Sequence, residues 1–298
     1  MSTAANPSAS SVPTPRSPQL DLGSAIPRHW FGGNVLATHL VNGVSMLFPA
    51  GERFFVRSVH HYMDQIDDPT LRAQVKGFFG QEGRHAKEHD RWNAILTEQG
   101  YSVETFLSIY ERIAYGVVER LASPSLRLAA TAACEHFTAI LAERALRHDF
   151  LSHADPTMTQ LLKWHAAEEI EHRSGGFDVM QKVSPSYAMR VAGLAVAATL
   201  LGGFWCTATL MLLWQDRKLL RGSMKKDAQQ LRAVRKRNNV QGLFLSGIRE
   251  YLHRDFHPAK LPLDMFADYM LEHPTEVNRL RQRLDVMWGK GESAAAAK

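Results

Sequence analysis

The chain has 298 residues, 45% of them hydrophobic and 22% charged, enough apolar material for a substantial core and too much for a disordered polymer. Cys134 and Cys206 are its only cysteines, which excludes a disulfide framework and any Cys-rich zinc module. The net charge of +5 is mild and stems from one segment (217–237) that lacks aromatic residues, so the sequence predicts no nucleic-acid partner.

Residues 1–28 are rich in Ser, Pro and Ala without apolar periodicity, and predict a disordered tail. From Trp30 onward helix signals accumulate and period-two alternation is absent, so the fold should be all-α. Residues 34–66 have a helical pattern that Pro49 breaks or kinks. Asp68-Pro69 supplies an N-cap and first-turn proline for a helix that Gly100 closes. Ser102 opens the next, to about Ala122, Ser123-Pro124 a third, to about Phe150, and Asp155-Pro156 a fourth, to about Val183. These lie in a predicted helical metal-binding region, 29–185.

Residues 191–214 carry no charge over 24 positions, long enough to span a bilayer core of about 30 Å. Nine Lys and Arg follow between Arg217 and Arg237, which favours an anionic, cytoplasmic membrane face. Gly202-Gly203 divides the apolar run, so 186–222 reads as a membrane-associated helix or hairpin, with a buried fifth bundle helix as the alternative. A C-terminal helical region (223–290) contains one helix to about Arg254 and another from Pro262 to Trp288, before a tail at 291–298.

The chemistry lies in glutamate and histidine spacing. Glu82 and His85 in QEGRHAKEH, and Glu169 and His172 in WHAAEEIEH, are Glu-x-x-His pairs, which place a carboxylate and an imidazole on adjacent turns of one helical face. Chance placement gives fewer than one such pair; this chain has three, the third being Glu250 and His253. The first two pairs each follow a glutamate in an apolar helix, Glu52 and Glu135, which needs a partner if it is buried. The pattern, Glu then Glu-x-x-His, twice, is the inward-facing ligand set of a dinuclear carboxylate site in a four-helix bundle. His89, Glu143, His165 and Glu168 are candidate extra ligands or groups that orient the ligands. Glu250, His253 and His257 share a helical face without a matching half, and read as solvated. No catalytic acid or base is assigned, and Phe78, Phe79 and Phe137 beside the ligands suggest an apolar substrate channel.

The set Glu52, Glu82, His85, Glu135, Glu169 and His172 resembles the ferritin-like di-iron and di-manganese carboxylate proteins. The wider context, with ACEHFTA, WHAAEEIEHRSGGFD and DFHP, resembles the bacterial family of predicted metal-dependent hydrolases. These resemblances imply a ferritin-like four-helix bundle with two divalent ions, iron first and manganese second. The leading expectation is O2-dependent oxidation of an apolar or lipid substrate at the cytoplasmic side of a membrane. Two-metal hydrolysis of an ester, amide or phosphate is the alternative, and metal storage by a homo-oligomer the third reading.

Overall fold

The computed structural model describes residues 12–23, 25–147, 149–237, 242–261 and position 271. Among them there are helices and turns and no strand, so the protein is all-α. The first helices are α1 (Val35–Ser45) and α2 (Phe48–His60), and Pro49 sits in the first turn of α2, where a missing N–H costs nothing. The longest is α3 (Pro69–Glu98), whose N-cap Asp68 accepts from the N–H groups of Thr70 and Leu71. A second segment combines α4 (Glu104–Glu111), a π turn (Arg112–Val118) and α5 (Glu119–Leu121). Then come α6 (Pro124–Arg147), α7 (Pro156–His172), α8 (Gly175–Val183), α9 (Tyr187–Gln215), α10 (Arg217–Arg237) and α11 (Leu243–Tyr251).

The proline-led starts at 69, 124 and 156 fall where the sequence places them. Ser102 does not cap its helix: Val103 takes that position, while the Ser102 N–H donates to Gln215. The single helix expected over 156–183 is two, because the chain turns at Arg173–Ser174. There the Arg173 guanidinium donates to the carbonyls of Ile170, Pro258 and Leu261, tying the break to the C-terminal turn. The helix expected to reach Arg254 ends at Tyr251, and His257 lies beyond it, bonded to Asp178. The helix and tail expected over 262–298 lie outside the described residues.

One further expectation is corrected. Residues 12–23 and 25–28 are not a loose tail: Leu20 and Ile26 are buried, and Pro13 and Pro15 lie on α3. Gly77 allows this, since a Cβ there would collide with the Pro13 carbonyl. The first eleven residues of the expected tail lie outside the described residues. Of the helix and the hairpin expected across Gly202-Gly203, the helix is found. Helix α9 runs unbroken through Gly202-Gly203 for 29 residues, the i→i−4 ladder tolerating glycine at modest cost. One side of α9 packs on α6 and α1, with Gly193 so close to Ala129 that a Cβ would overlap its backbone. Of its most apolar window 22% is buried. It meets the length and hydropathy of a membrane span, as buried helices and leaders also can.

Two apolar clusters form the core, and the helices switch between them across a polar layer. Along α3, Phe78 belongs to one cluster and Trp92 to the other, with Glu82, His85 and His89 between. From α7 into α8, Trp164 and Phe177 bracket His165, Glu169 and His172. On α2, Glu52 lies between Leu47 and Phe55 in the same way.

Candidate metal centre

Helices α2, α3, α6 and α7 bring Glu52, Glu82, His85, Glu135, Glu169 and His172 into one layer, all nearly inaccessible to solvent. With His89 and His165, their ligand atoms form overlapping groups, each with members within 4.8 Å of one another: Glu82, Glu135 and His172; Glu52, Glu82 and His85; His85, His165 and Glu169; and Glu52, His89 and His165. The Glu-x-x-His spacing does this locally, placing Glu82 one turn before His85 and Glu169 one turn before His172.

Both imidazoles of the pairs have one nitrogen tied from outside and the other aimed inward. His85 Nε2 donates to Glu168 at 3.0 Å, leaving Nδ1 without a hydrogen-bond partner, 3.4 Å from Glu169. His172 Nδ1 donates to Gln81 Oε1 at 2.9 Å, leaving Nε2 3.1 Å from Glu82 and 3.2 Å from Glu135, close but not aligned as hydrogen bonds. Both oxygens of Glu52, Glu82 and Glu135, and Oε2 of Glu169, likewise lack partners. Buried carboxylates are costly in that condition, and a cation is the partner that satisfies several at once. The outward tethering of each histidine is the arrangement that fixes tautomer and ring orientation in metal sites. The residues therefore fit one or two divalent cations.

The charges follow from burial and neighbours. Burial, then the charge of Glu82, pushes the Glu135 carboxyl up to about 8, and the same effects raise Glu52 well above the usual range. Burial also raises Glu82, against the pull of His172. Glu169 goes the other way: burial opposes its charge, but His172 and His165 hold it well below the ordinary value. Burial opposes protonation of His85, yet Glu168 and Glu169 raise it to about 9. Glu169 is thus the ionised carboxylate around which the imidazoles gather.

The remaining candidates separate. His165 reaches the centre, its Nε2 2.9 Å from Glu169 and 3.7 Å from Glu52. Burial lowers it to about 4, so it is neutral, and it continues a chain in which Ser45 donates to His89 and His89 to His165. Glu168 faces His85 and Arg16 and belongs to none of the metal-capable groups. Glu143 lies near Glu250 of α11, outside every such group among the described residues. Sequence reasoning missed Gln81, Ser45 and Arg16. Gln81 holds His172 while donating to Thr14 and Glu171, and no spacing rule singles out an amide beside a ligand. Of the aromatics, Phe78 lies 5.1 Å from the His172 ring, whereas Phe137 turns toward Phe244.

A cavity of about 90 Å³ reaches Glu52 from the side of α9. Its wall is apolar, with Phe48, Phe55, Ala114, Cys134 and Leu200 among its lining.

The family described as predicted metal-dependent hydrolase matches residues 14–261, which include all six convergent ligands and the Arg16 contact. The chain belongs to that family. No curated protein and no solved structure matches it. Family membership and the buried Glu/His groups together make this a metal-dependent, metal-binding protein. Within the family's matched span, the N-terminal strap and the C-terminal turn at Pro258–Lys260 both brace α7, the helix that carries Glu169 and His172.

Proposed function

We propose that the protein is a two-metal hydrolase that cleaves an ester or amide bond in a substrate with a large apolar part. The carrying observation is the layer of orphaned carboxylates and inward-facing imidazoles in a member of this family. Bound there, two divalent cations would supply Lewis acidity toward a carbonyl and a nucleophile at neutral pH. Glu52, Glu82, Glu135, Glu169, His85 and His172 would hold them, in a ferritin-like four-helix arrangement of α2, α3, α6 and α7. The protein's own groups divide the remaining work. Gln81 and Glu168 fix the two imidazoles, and the cavity wall excludes water around the substrate. The Ser45–His89–His165 chain ends at Glu169 and can carry a proton away from the centre. The charge-free stretch 191–214 of α9, followed by basic α10, favours residence on the cytoplasmic face of a membrane.

O2-dependent oxidation at a di-iron centre is the second reading, favoured by the carboxylate-rich donor set inside a helical layer and by the apolar cavity. One comparison separates them. Protein loaded with Mn(II) or Fe(II) under anaerobic conditions is assayed against p-nitrophenyl esters of increasing acyl length. Anaerobic, metal-dependent turnover supports hydrolysis. No turnover, together with rapid O2 consumption by the Fe(II) form in stopped-flow, would replace it with oxidation.

A further inference from the structure

The segment 104–121 carries a second apolar face that its sequence did not advertise. Ile109, Ile113, Val117 and Leu121 point outward at four-residue steps and are between 43% and 83% exposed. The segment lies beside α9, with Phe106 and Tyr110 against Phe204 and Ser102 bonded to Gln215. The outward side of α9 adds Leu210 and Trp214 (67% exposed), so the two neighbouring elements both present apolar side chains outward, with Glu111, Arg112 and Arg120 exposed beside them. Exposed apolar clusters mark membrane or protein contact sites.

The occupant is indicated by charge. Arg217 stacks on Trp214 at 4.9 Å, so the basic block begins where the apolar face ends. The one acid of α10, Asp227, is buried and accepts from the Val35 N–H, so the exposed charges Lys218, Arg221, Lys225 and Lys226 are all positive. A second copy would bring like charge to like charge, whereas an anionic bilayer complements both the apolar face and its basic flank.

The same two elements line the cavity. Its outer wall is half-buried Val118, Val196 and Leu200, and its inner end is buried Gly51, Cys134's neighbour Ala130, and Glu52. The π turn widens the helix so that Ala114 and Tyr115 face inward while Ile113 and Val117 face outward. Tyr110 donates to the Leu47 carbonyl, so Tyr115 must donate to Tyr110, at 2.5 Å, and the two hydroxyls satisfy each other. What remains for a ligand is a largely apolar passage to Glu52, with Glu119, Arg127 and Thr138 also in its lining.

We infer that this face docks on an anionic bilayer and that the passage admits one aliphatic chain of a membrane-borne substrate, drawing it directly from lipid toward Glu52. The inference rests on the proposed hydrolase only for what befalls the chain once it arrives. The test uses the full-length, metal-loaded protein with phosphatidylcholine vesicles containing or lacking phosphatidylglycerol. The vesicles carry a phospholipid with a terminal diazirine on one acyl chain, and adducts are located by peptide mass spectrometry after photolysis. Flotation with the anionic vesicles and adducts on residues of the passage, such as Ala114 and Cys134, are expected. Filling the passage by Ala197→Phe, or by Leu200→Phe should the first not fold, should abolish those adducts while flotation and metal content persist. Adducts confined to Leu210 and Trp214 would overturn the passage, and a dimer that ignores vesicles would overturn the docking. Because the readout is label position, it does not depend on turnover. Passage labelling in a protein that binds no metal would overturn the hydrolase and leave this inference standing.

Discussion

Replacing Glu135 by Gln should make the metal-free protein more stable and the metal-loaded protein less so. Burial and Glu82 raise the Glu135 carboxyl to about 8, against an ordinary value of about 4.3. A carboxyl with a raised folded value costs nothing below its unfolded value, and destabilises increasingly as pH rises toward the folded one. At pH 7 the difference is on the order of 3 kcal/mol. Gln keeps the shape and an acceptor oxygen 3.2 Å from His172 but removes the titration. In chelator, the variant should therefore match wild type near pH 4 and melt on the order of 10 °C higher at pH 7. Saturating metal should reverse the order, since a ligand at 1,000 times its Kd adds about 4 kcal/mol to a protein that binds it and little to one that has lost a donor. Calorimetric melting with EDTA and with Mn(II), at pH 4, 5.5 and 7, measures all three comparisons. A variant less stable than wild type in EDTA at pH 7, or an equal gain from metal in both proteins, would refute the assignment.

Glu169→Gln should behave oppositely in the apo state, losing about 3–5 kcal/mol at pH 7, because it strips the ionised partner from His165, His85 and His172; a denaturant midpoint above wild type would contradict this. Metal binding at pH 7 should release at least two protons per chain, from His85 (about 9) and Glu135 (about 8), seen as a buffer-dependent enthalpy in titration calorimetry. Asp216, which burial opposes but Tyr101, His29, His39 and Arg28 hold well below the carboxylate range, contributes stability that is complete above about pH 4 and is lost as pH falls through its folded value. Asp216→Asn should thus destabilise at pH 7 and converge with wild type in strong acid. Arg16→Ala should leave Glu171 with Gln81 as its partner and loosen residues 12–17, visible as faster amide exchange there and in α7, with metal still bound.

The helices were legible wherever a local code operates. Asp68-Pro69, Ser123-Pro124 and Asp155-Pro156 each pair a cap with a first-turn proline, and helices start there. The convergence of Glu82 with His85 and of Glu169 with His172 follows from 3.6 residues per turn. Residues acting through tertiary contacts were not legible. Arg16 sits in a Pro/Ser-rich stretch whose composition signals disorder, yet Gly77 offers it a seat on α3. Arg173 breaks 156–183 only because carbonyls from 258 and 261 arrive to bind it. Glu168 and Glu143 were both candidate ligands, and only the fold shows that one bonds His85 while the other lies near Glu250, outside the layer.

The account stands or falls on the occupancy of the Glu/His layer. Elemental analysis of protein purified from metal-supplemented cells, for wild type, His172→Ala and Glu250→Ala, tests it most directly. Two metal ions per chain in wild type, one or fewer in His172→Ala and an unchanged two in Glu250→Ala are expected for a dinuclear site. Absence of metal from wild type, or equal loss in Glu250→Ala and His172→Ala, would contradict a centre built on α2, α3, α6 and α7.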